Sequence, residues 1–232
     1  MRSMGPRAAH RFPKAGMSHI SEPTVRRLSH YYRVLEEVAA EGKRMISSHL
    51  LAEREGITSA QVRKDLSAFG SFGRRGLGYH VEHLRDEIRA LLGLDRRWRA
   101  CVVGAGHIGT ALLGYRGFAD QGFDIVAAFD ADPDRVGRTI DGLTVRPMSQ
   151  LSPREGFEIG VIATPAAAAQ VVADALVAAG VQGILNFAPR KLRVPEAVTV
   201  RAVDMTMEFE SLSYALTHTR AAGPRRRKRA SR

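Results

Sequence analysis

The sequence predicts an α/β protein in two parts, a small helical domain that carries a glycine-rich hairpin and a parallel sheet covered by helices. Two observations support this fold class. Up to about residue 97, apolar residues recur every three or four positions, which is the spacing of amphipathic helices. From Trp98 onward, short apolar strands alternate with glycine turns and helices, an order typical of a parallel sheet.

The composition excludes several classes of protein. Hydrophobic residues make up 44% of the 232 residues and charged residues 25%, which argues against a disordered chain. No run of about eighteen apolar residues is present, so we predict no membrane span and no membrane partner. Of the net charge of +11, residues 1–16 supply four bases and residues 221–232 supply six, and neither segment holds an acid. Because the rest is nearly neutral, charge alone does not indicate nucleic-acid binding.

The single cysteine, Cys101, excludes an internal disulfide and leaves no cysteine-rich metal site. We therefore predict no metal. One cysteine also fits a reducing compartment. The N-terminus is basic but lacks a continuous apolar segment, so no signal peptide is predicted and we expect a cytoplasmic location.

Helix start and stop signals organise the N-terminal part. Ser47 is a good N-cap and Gly56 suits a left-handed C-cap. Thr58 forms a capping-box pattern with Gln61 three residues on. Together with the apolar periodicity, these signals predict four helices over residues 23–40, 47–56, 58–69 and 81–92.

A glycine-rich hairpin with a basic tip, residues 70–81, follows the third helix directly. Three helices with such a hairpin are typical of a winged helix-turn-helix domain, in which the third helix enters the major groove of DNA and the wing can reach the minor groove. A basic helix by itself is more often a solvated surface, but the wing beside it favours DNA binding. The candidate DNA-binding residues are Ser59, Gln61, Arg63, Lys64, Ser67, Arg74, Arg75 and Tyr79.

A GxGxxG loop follows the first strand of the second part, with its glycines at Gly104, Gly106 and Gly109. These glycines permit a tight turn, close approach of a pyrophosphate and close helix–strand packing. Asp130 lies 21 residues beyond Gly109 at the end of the next strand, where an acid accepts ribose hydroxyls. The context predicts a Rossmann domain that binds NADH or NAD⁺. An acid there repels a 2′-phosphate, although the nearby Arg135 leaves NADP(H) open.

The strands of this domain are predicted at residues 99–103, 124–129, 159–163, 183–187 and 198–203, with helices at 106–118 and 165–179. Ligands of such sheets lie at the carboxyl ends of the strands. With residues that the family resemblance below adds, the candidate cofactor-binding residues are Gly104, Ala105, Gly106, His107, Ile108, Gly109, Tyr115, Asp130, Thr164, Pro165, Asn186, Phe187, Ala188, Pro189, Asp204 and Met205.

Two other functions stay open. An NAD-dependent oxidoreductase needs an acid or a base beside the nicotinamide. Between residue 98 and the basic tail, the only histidines are His107 and His218 and the only lysine is Lys191. None of the three is well placed for hydride chemistry beside the nicotinamide. Asp204 and Tyr115 keep the enzyme alternative open. A Rossmann fold that serves only as a dimerisation scaffold is the second alternative, and the intact glycine loop argues against it.

The chain resembles the Rex family of redox-sensing transcriptional repressors from about residue 21 to residue 219. The matching stretches are residues 61–66, 69–73, 75–79, 104–109, 129–130 and 183–189. Their combination is far more specific than any one of them. The terminal basic segments fall outside the resemblance.

The resemblance implies a homodimeric repressor that binds pseudo-palindromic operator DNA and is released when NADH binds. It also implies that the C-terminal helix, Thr206 to Thr219, inserts into the partner subunit. By the same resemblance, Asp204 pairs with Arg33 in the DNA-bound form and turns to Tyr115 when NADH fills the site. These three residues are the expected switch.

Charge offers a hypothesis for redox discrimination. The dihydronicotinamide of NADH is neutral, whereas the ring of NAD⁺ is positive and is costly to bury in an apolar pocket. We expect Phe187, Ala188, Pro189 and Met205 to line that pocket.

The sequence thus predicts five segments. They are a disordered basic extension (1–20), a winged-helix DNA-binding domain (21–97), a Rossmann NAD(H)-binding domain (98–204), a domain-swapped C-terminal helix (205–220) and a disordered basic tail (221–232).

Overall fold

The computed structural model describes residues 20–70, 73–74 and 77–221. The chain divides into two compact units, Met1–Asp95 and Arg96–Arg232. Apart from Ile20 and Ala221, the predicted terminal extensions 1–20 and 221–232 lie outside the described residues.

Within its described residues, the first unit contains the four helices that the sequence predicts, together with three short strands. Ser47 Oγ accepts from the Leu50 amide, and Gly56 ends the second helix at φ +65°, as expected of these caps. The third helix ends at Ser67 rather than at Phe69. The elements are α1 (Glu22–Ala40), β1 (Met45–Ile46), α2 (Ser48–Glu55), α3 (Ser59–Ser67), β2 (Gly73–Arg74), β3 (Gly78–His80) and α4 (Val81–Leu91).

The predicted hairpin is present as an antiparallel sheet in the order β1-β3-β2. The strand β1, which pairs Ile46 with Tyr79, was not predicted because two residues carry no readable period. Gly78 has φ +83°, and a Cβ there would overlap the Ile46 carbonyl, so this corner of the sheet requires glycine. Helices and sheet enclose a core centred on Tyr31, Leu35, Leu51, Val62 and Leu84.

The second unit is a seven-stranded sheet in the order β10-β9-β8-β4-β5-β7-β6. Six of these strands are parallel, namely β4, β5, β7, β8, β9 and β10. If these six are renumbered 1 to 6 along the chain, their order across the sheet is 3-2-1-4-5-6, which is that of a Rossmann fold. From β4 the chain adds β5 and β7 on one side and then β8, β9 and β10 on the other, so the direction of strand addition reverses between β4 and β8. The elements are β4 (Trp98–Val103), α5 (His107–Leu113), α6 (Gly117–Asp120), β5 (Phe123–Asp130), β6 (Thr139–Ile140), β7 (Leu143–Pro147), β8 (Ile159–Ile162), α7 (Ala166–Ala178), β9 (Gly183–Asn186), β10 (Thr199–Ala202) and α8 (Met205–Ala221).

Two features of this unit differ from the prediction. The hairpin β6–β7 was missed, although Asp141 and Gly142 at its turn both have positive φ, as an Asp-Gly hairpin turn requires. The helix predicted over 106–118 breaks after Leu113. Gly114 ends it, and the Tyr115 side chain occupies the space where a Cβ of Gly117 would lie.

The two faces of the sheet are covered differently. One face packs against α7 around Phe129, Ile162 and Leu176. The other face carries α5, but beside it an apolar groove stays open, lined by Ala100, Leu112, Phe118, Phe123, Ile125, Ile159, Val161 and Leu185. The helix α8 also exposes apolar side chains, namely Met205, Met207, Phe209, Leu212, Tyr214 and Leu216. Across the described ranges, no helix is long and apolar enough to cross a bilayer.

Candidate functional site

The glycine loop lies at the reversal point of the sheet, between the carboxyl ends of β4 and β8. Gly104 has φ +103°, and a Cβ there would lie 2.5 Å from the Ala163 carbonyl oxygen. A Cβ at Gly109 would overlap the Gly104 carbonyl, so this glycine lets α5 approach the strand. At Gly106 a Cβ would meet only Arg135 Nη1, at 3.7 Å. The middle glycine therefore leaves an open approach to the backbone, as a bound pyrophosphate requires.

Asp130 ends β5 beside this loop and is only 7% exposed. Its Oδ2 accepts from the Ala105 amide at 2.7 Å, and its Oδ1 accepts from the Asp132 amide at 2.9 Å. Arg135 Nη1 donates to Oδ2 at 3.3 Å. Burial opposes ionisation most strongly, but the two amides and the guanidinium outweigh it and keep the pKa of Asp130 below its ordinary value. The carboxylate is ionised and retains one acceptor position on Oδ1.

The carboxyl ends of β8 and β9 supply the other side of the site. The hydroxyl oxygen of Thr164 is buried and has no hydrogen-bond partner among the described residues. Such an orphaned group beside Gly104 is a position at which a ligand can supply the missing bond. Asn186 is buried, and its amide bonds to backbone groups of Ala188 and Arg190. Its side chain thus holds the loop that carries Phe187 and Pro189.

The remaining candidates of this unit lie near the surface. His107 and Ile108 begin α5 and are exposed, as are Pro165 and Met205. Tyr115 is 60% exposed, and its ring packs edge-on against Phe118 at 4.9 Å between centroids. It is therefore not a core aromatic residue.

Asp204 caps the C-terminal helix. Its Oδ1 accepts from the amides of Thr206 at 2.9 Å and Met207 at 3.4 Å. Arg33, the third predicted switch residue, belongs to the first unit. It is exposed on α1 and lines a depression with Glu37 and Glu55.

The outward face of α3 presents Arg63, Lys64 and Ser67 to solvent, and Ser59 is half-buried. Arg63 Nη1 donates to Ser48 Oγ at 3.1 Å, which links the third helix to the second. The hydroxyl of Ser67 donates to the Lys64 carbonyl at 2.9 Å. This face is polar and basic, as a helix in the major groove requires.

The wing requires one correction. Tyr79 is 8% exposed and its ring packs against Gly73, so it is a core residue of the sheet and not an exposed DNA contact. Alternation along a strand sends successive side chains to opposite faces, and Tyr79 falls on the inner one. Arg74 lies on β2, but its side chain is outside the described part of the structure, as is the whole of Arg75.

Asp65 on α3 supports the DNA-reading face from within, a role that was not predicted from the sequence. It is 3% exposed and accepts four hydrogen bonds, from Arg27 Nε at 2.6 Å and Nη2 at 2.8 Å, Tyr31 Oη at 2.8 Å and Gln61 Nε2 at 2.8 Å. Burial opposes ionisation most strongly, yet these donors keep the pKa of Asp65 below its ordinary value.

This cluster fixes the rotation of α3 against α1. It also holds the amide nitrogen of Gln61, a predicted DNA contact, against the protein. A signal was available in the sequence, because Asp65 interrupts the apolar stripe formed by Val62, Leu66 and Phe69.

The described residues contain no group of three or more His, Cys, Asp or Glu side chains that could hold a metal ion. Cys101 is buried in the sheet, and burial raises the pKa of its thiol to about 12. The site is built from the glycine loop, backbone amides, the Thr164 hydroxyl and the Asp130 carboxylate with its partner Arg135.

Comparisons with known proteins agree with the description of both units. Residues 19–67 match a family described as the N-terminus of a putative DNA-binding protein, and residues 95–190 match the CoA binding domain family. A redox-sensing transcriptional repressor Rex from Carboxydothermus hydrogenoformans is 50% identical over 84% of this chain and 95% of its own. The Rex repressor of Streptomyces coelicolor is 46% identical over 89% of this chain and 81% of its own.

Solved structures agree as well. A Rex-family repressor called RSP, in complex with NAD⁺ and operator DNA, superposes with a TM-score of 0.83 at 35% identity, over 88% of this chain and 95% of its own. Its complex with NADH superposes with a TM-score of 0.80 at 34% identity, over 88% of this chain and 97% of its own. These relatives are repressors, which decides against the oxidoreductase alternative. The chain belongs to the Rex family of redox-sensing transcriptional repressors.

Proposed function

We propose that this protein is a homodimeric repressor of the cytoplasm that binds operator DNA and is released when NADH binds. The observation that carries the proposal is the fit of the second unit to a dinucleotide. An open glycine loop, an ionised Asp130 with a spare acceptor and the unpaired hydroxyl of Thr164 meet at the reversal point of the sheet.

Each part of the ligand has a matching group in the protein. The backbone around Gly106 accommodates the pyrophosphate, and Asp130 accepts a hydroxyl of the adenosine ribose at its free Oδ1 position. Thr164 supplies a hydrogen bond at the far side of the loop. When bound, the nicotinamide supplies only its charge and shape, which differ between NADH and NAD⁺. Phe187 and Pro189, on the loop held by Asn186, would favour the neutral ring.

DNA binding rests on the exposed face of α3. Arg63 and Lys64 would reach base edges or phosphates, while Asp65 keeps the helix in the orientation that turns them outward. The wing, with Arg74 and Arg75, would lie along the minor groove.

Two apolar surfaces that are exposed to solvent support a dimer in which the subunits exchange their last helix. The open groove beside α5 and the exposed residues of α8, among them Phe209 and Leu212, would both be covered if each helix packed against the partner subunit. Sedimentation should give a dimer for the wild type. A Phe209→Asp, Leu212→Asp variant should be monomeric, whereas Val171→Asp, at an exposed position of α7, should leave the dimer intact.

In the proposed switch, Asp204 changes its side-chain partner while it remains the N-terminal cap of α8. Because Oδ1 holds the amides of Thr206 and Met207, Oδ2 is the atom that would pair with Arg33 in one state and Tyr115 in the other. Tyr115→Phe should still bind NADH but release DNA less effectively, and Arg33→Ala should bind the operator more weakly without NADH. Equal losses with and without NADH in both variants would argue against the switch.

A mobility-shift titration tests the main proposal. Duplexes selected by the protein from a random-sequence pool are titrated with NADH and with NAD⁺. Release by NADH at concentrations where NAD⁺ has no effect supports it. Equal release by both, or release by neither, contradicts redox sensing.

A further inference from the structure

The loop that follows β9 has no regular secondary structure. Residues 187–198, which the structure describes throughout, form neither helix nor strand before β10 begins. The loop starts with the residues proposed to face the nicotinamide, of which Phe187 is half-buried and Pro189 exposed. Asn186 holds this first part, because its side-chain amide bonds to the loop backbone. The rest of the loop is positioned by contacts with other elements.

Gln170, in the second turn of α7, supplies one of these contacts. Its Oε1 accepts from the Arg193 amide at 2.9 Å, and its Nε2 donates to the Arg193 carbonyl at 2.8 Å. The side chain thereby reproduces the paired bonds that two antiparallel strands make with each other. Its Nε2 also donates to Asp174 Oδ1 at 2.8 Å, one turn further along the helix. Because an ionised carboxylate only accepts, Asp174 fixes which end of the Gln170 amide faces which backbone group.

The start of α7 lies at the same edge of the sheet as the glycine loop. The helix follows Thr164 and Pro165 at the carboxyl end of β8, and Thr164 carries the unpaired hydroxyl of the candidate site. Arg190 Nη1 adds a longer contact to this helix, since it donates to the Ala166 carbonyl at 3.2 Å. A loop that is bonded to α7 at Arg190 and at Arg193 is therefore fixed relative to the dinucleotide site.

This loop can distinguish the two nicotinamide rings only if it keeps its position. Burying the positive ring of NAD⁺ is costly only where apolar groups lie close to it and exclude water. A loop that moves away admits water and lowers that cost, and it also loses contact with the neutral ring of NADH. In addition, a loop that is ordered before binding reduces the entropy lost when the ligand binds.

We propose that Gln170 is a positioning residue for redox sensing, which holds Phe187 and Pro189 against the nicotinamide through its two bonds to Arg193. It acts through the loop rather than on the dinucleotide. The inference rests on the proposed function, since it assumes that the nicotinamide half lies beside this loop. It assigns part of the preference for NADH over NAD⁺ to a side chain of α7 outside the glycine loop.

Calorimetry with the full-length protein measures the affinities for NADH, NAD⁺ and ADP-ribose, the last of which has the adenosine half but no nicotinamide. Gln170→Ala keeps a strong helix former in α7 and removes both bonds to Arg193. We expect NADH affinity to fall by about tenfold, which corresponds to about 1.4 kcal/mol, a typical value for one or two hydrogen bonds. NAD⁺ affinity should fall less, so that the preference for NADH shrinks. ADP-ribose affinity should be unchanged.

Gln170→Glu is the second variant, because it keeps the length of the side chain and an acceptor for the Arg193 amide but cannot donate to the Arg193 carbonyl. It should shift the preference in the same direction. Gln182→Ala, at an exposed glutamine that precedes β9, should change none of the three affinities.

The inference is overturned if both Gln170 variants keep the wild-type ratio of NADH affinity to NAD⁺ affinity. It is also overturned if ADP-ribose binding falls as much as NADH binding, which would show that Gln170 supports the fold as a whole. A wild type that binds ADP-ribose and prefers NADH leaves the proposed function standing in either case. A wild type without that preference overturns both.

Discussion

Each unit of the molecule contains a buried aspartate with a lowered pKa, but the two carboxylates have different surroundings. Asp65 in the first unit accepts four hydrogen bonds, all from side chains, which fills the acceptor positions of both oxygens. Asp130 in the second unit accepts two bonds from backbone amides and a longer one from Arg135. Asp130 therefore keeps one free acceptor position on Oδ1, and its longer contact with Arg135 can be exchanged for a contact with a ligand.

The difference separates a structural group from a binding group. A buried carboxylate whose acceptors are all satisfied by side chains can only lose interactions, so it specifies one arrangement of the helices around it. A carboxylate held in place by rigid backbone amides can exchange its remaining partners for those of a ligand without moving. Asp65 thus orients the DNA-reading helix, and Asp130 is positioned to bind.

The largest expected effect is on stability. Asp65→Ala leaves the guanidinium of Arg27 and the hydroxyl of Tyr31 without their partner. Removing one member of a buried ion pair typically costs about 3–5 kcal/mol, and because the Arg27 side chain is 28% exposed we expect about 3 kcal/mol. Urea unfolding of the full chain, followed by circular dichroism, measures the loss in the first unit.

Tyr31→Phe is the graded control for this variant. It removes one of the four bonds and keeps the aromatic packing, so the expected loss is about 1 kcal/mol. If Asp65→Ala and Tyr31→Phe had equal effects, the cluster would not depend on its charge.

The second prediction concerns ligand affinity. Asp130→Ala should weaken NADH binding by roughly tenfold or more, because a hydrogen bond to a charged group is worth about 1.5–3 kcal/mol. Operator binding without NADH should stay intact, since the first unit is unchanged. Calorimetry with NADH and a mobility shift on the same preparation measure both. Unchanged NADH affinity would contradict the site assignment.

The same comparison explains which parts of the molecule could be read from the sequence. Asp130 was found because a glycine loop and a strand end fix its position by spacing alone. Asp65 interrupts the apolar stripe of α3, but its partners Arg27 and Tyr31 lie 38 and 34 residues away, so the sequence does not show what the carboxylate binds. Tyr79 was misplaced since a three-residue strand does not show which face is buried. The open groove of the second unit could not be predicted either, because it depends on which helices leave a sheet face uncovered.

The third prediction is a pH dependence. Both carboxylates have lowered pKa values in the folded protein, so their stabilisation is present above the pKa of an unfolded aspartate, about 3.9, and is lost as the pH falls through the folded values. The free energy of unfolding should therefore fall on acidification below about pH 4. Asp65→Asn should show a flatter decline than the wild type.

The smallest expected effect is on the salt dependence of DNA binding. Lys64 is exposed on the helix that Asp65 orients, so Lys64→Ala removes a charge without disturbing the core. If Lys64 contacts a phosphate, the slope of log affinity against log salt should fall by about 1, uniformly across operator sequences. Lys191→Ala, an exposed lysine of the second unit, should leave the slope unchanged. Asp65→Asn should instead weaken binding with little change of slope, because it disorders the orientation of α3 and keeps the charges of that face. Normal operator binding by both Lys64→Ala and Arg63→Ala at physiological salt would show that α3 does not read the operator.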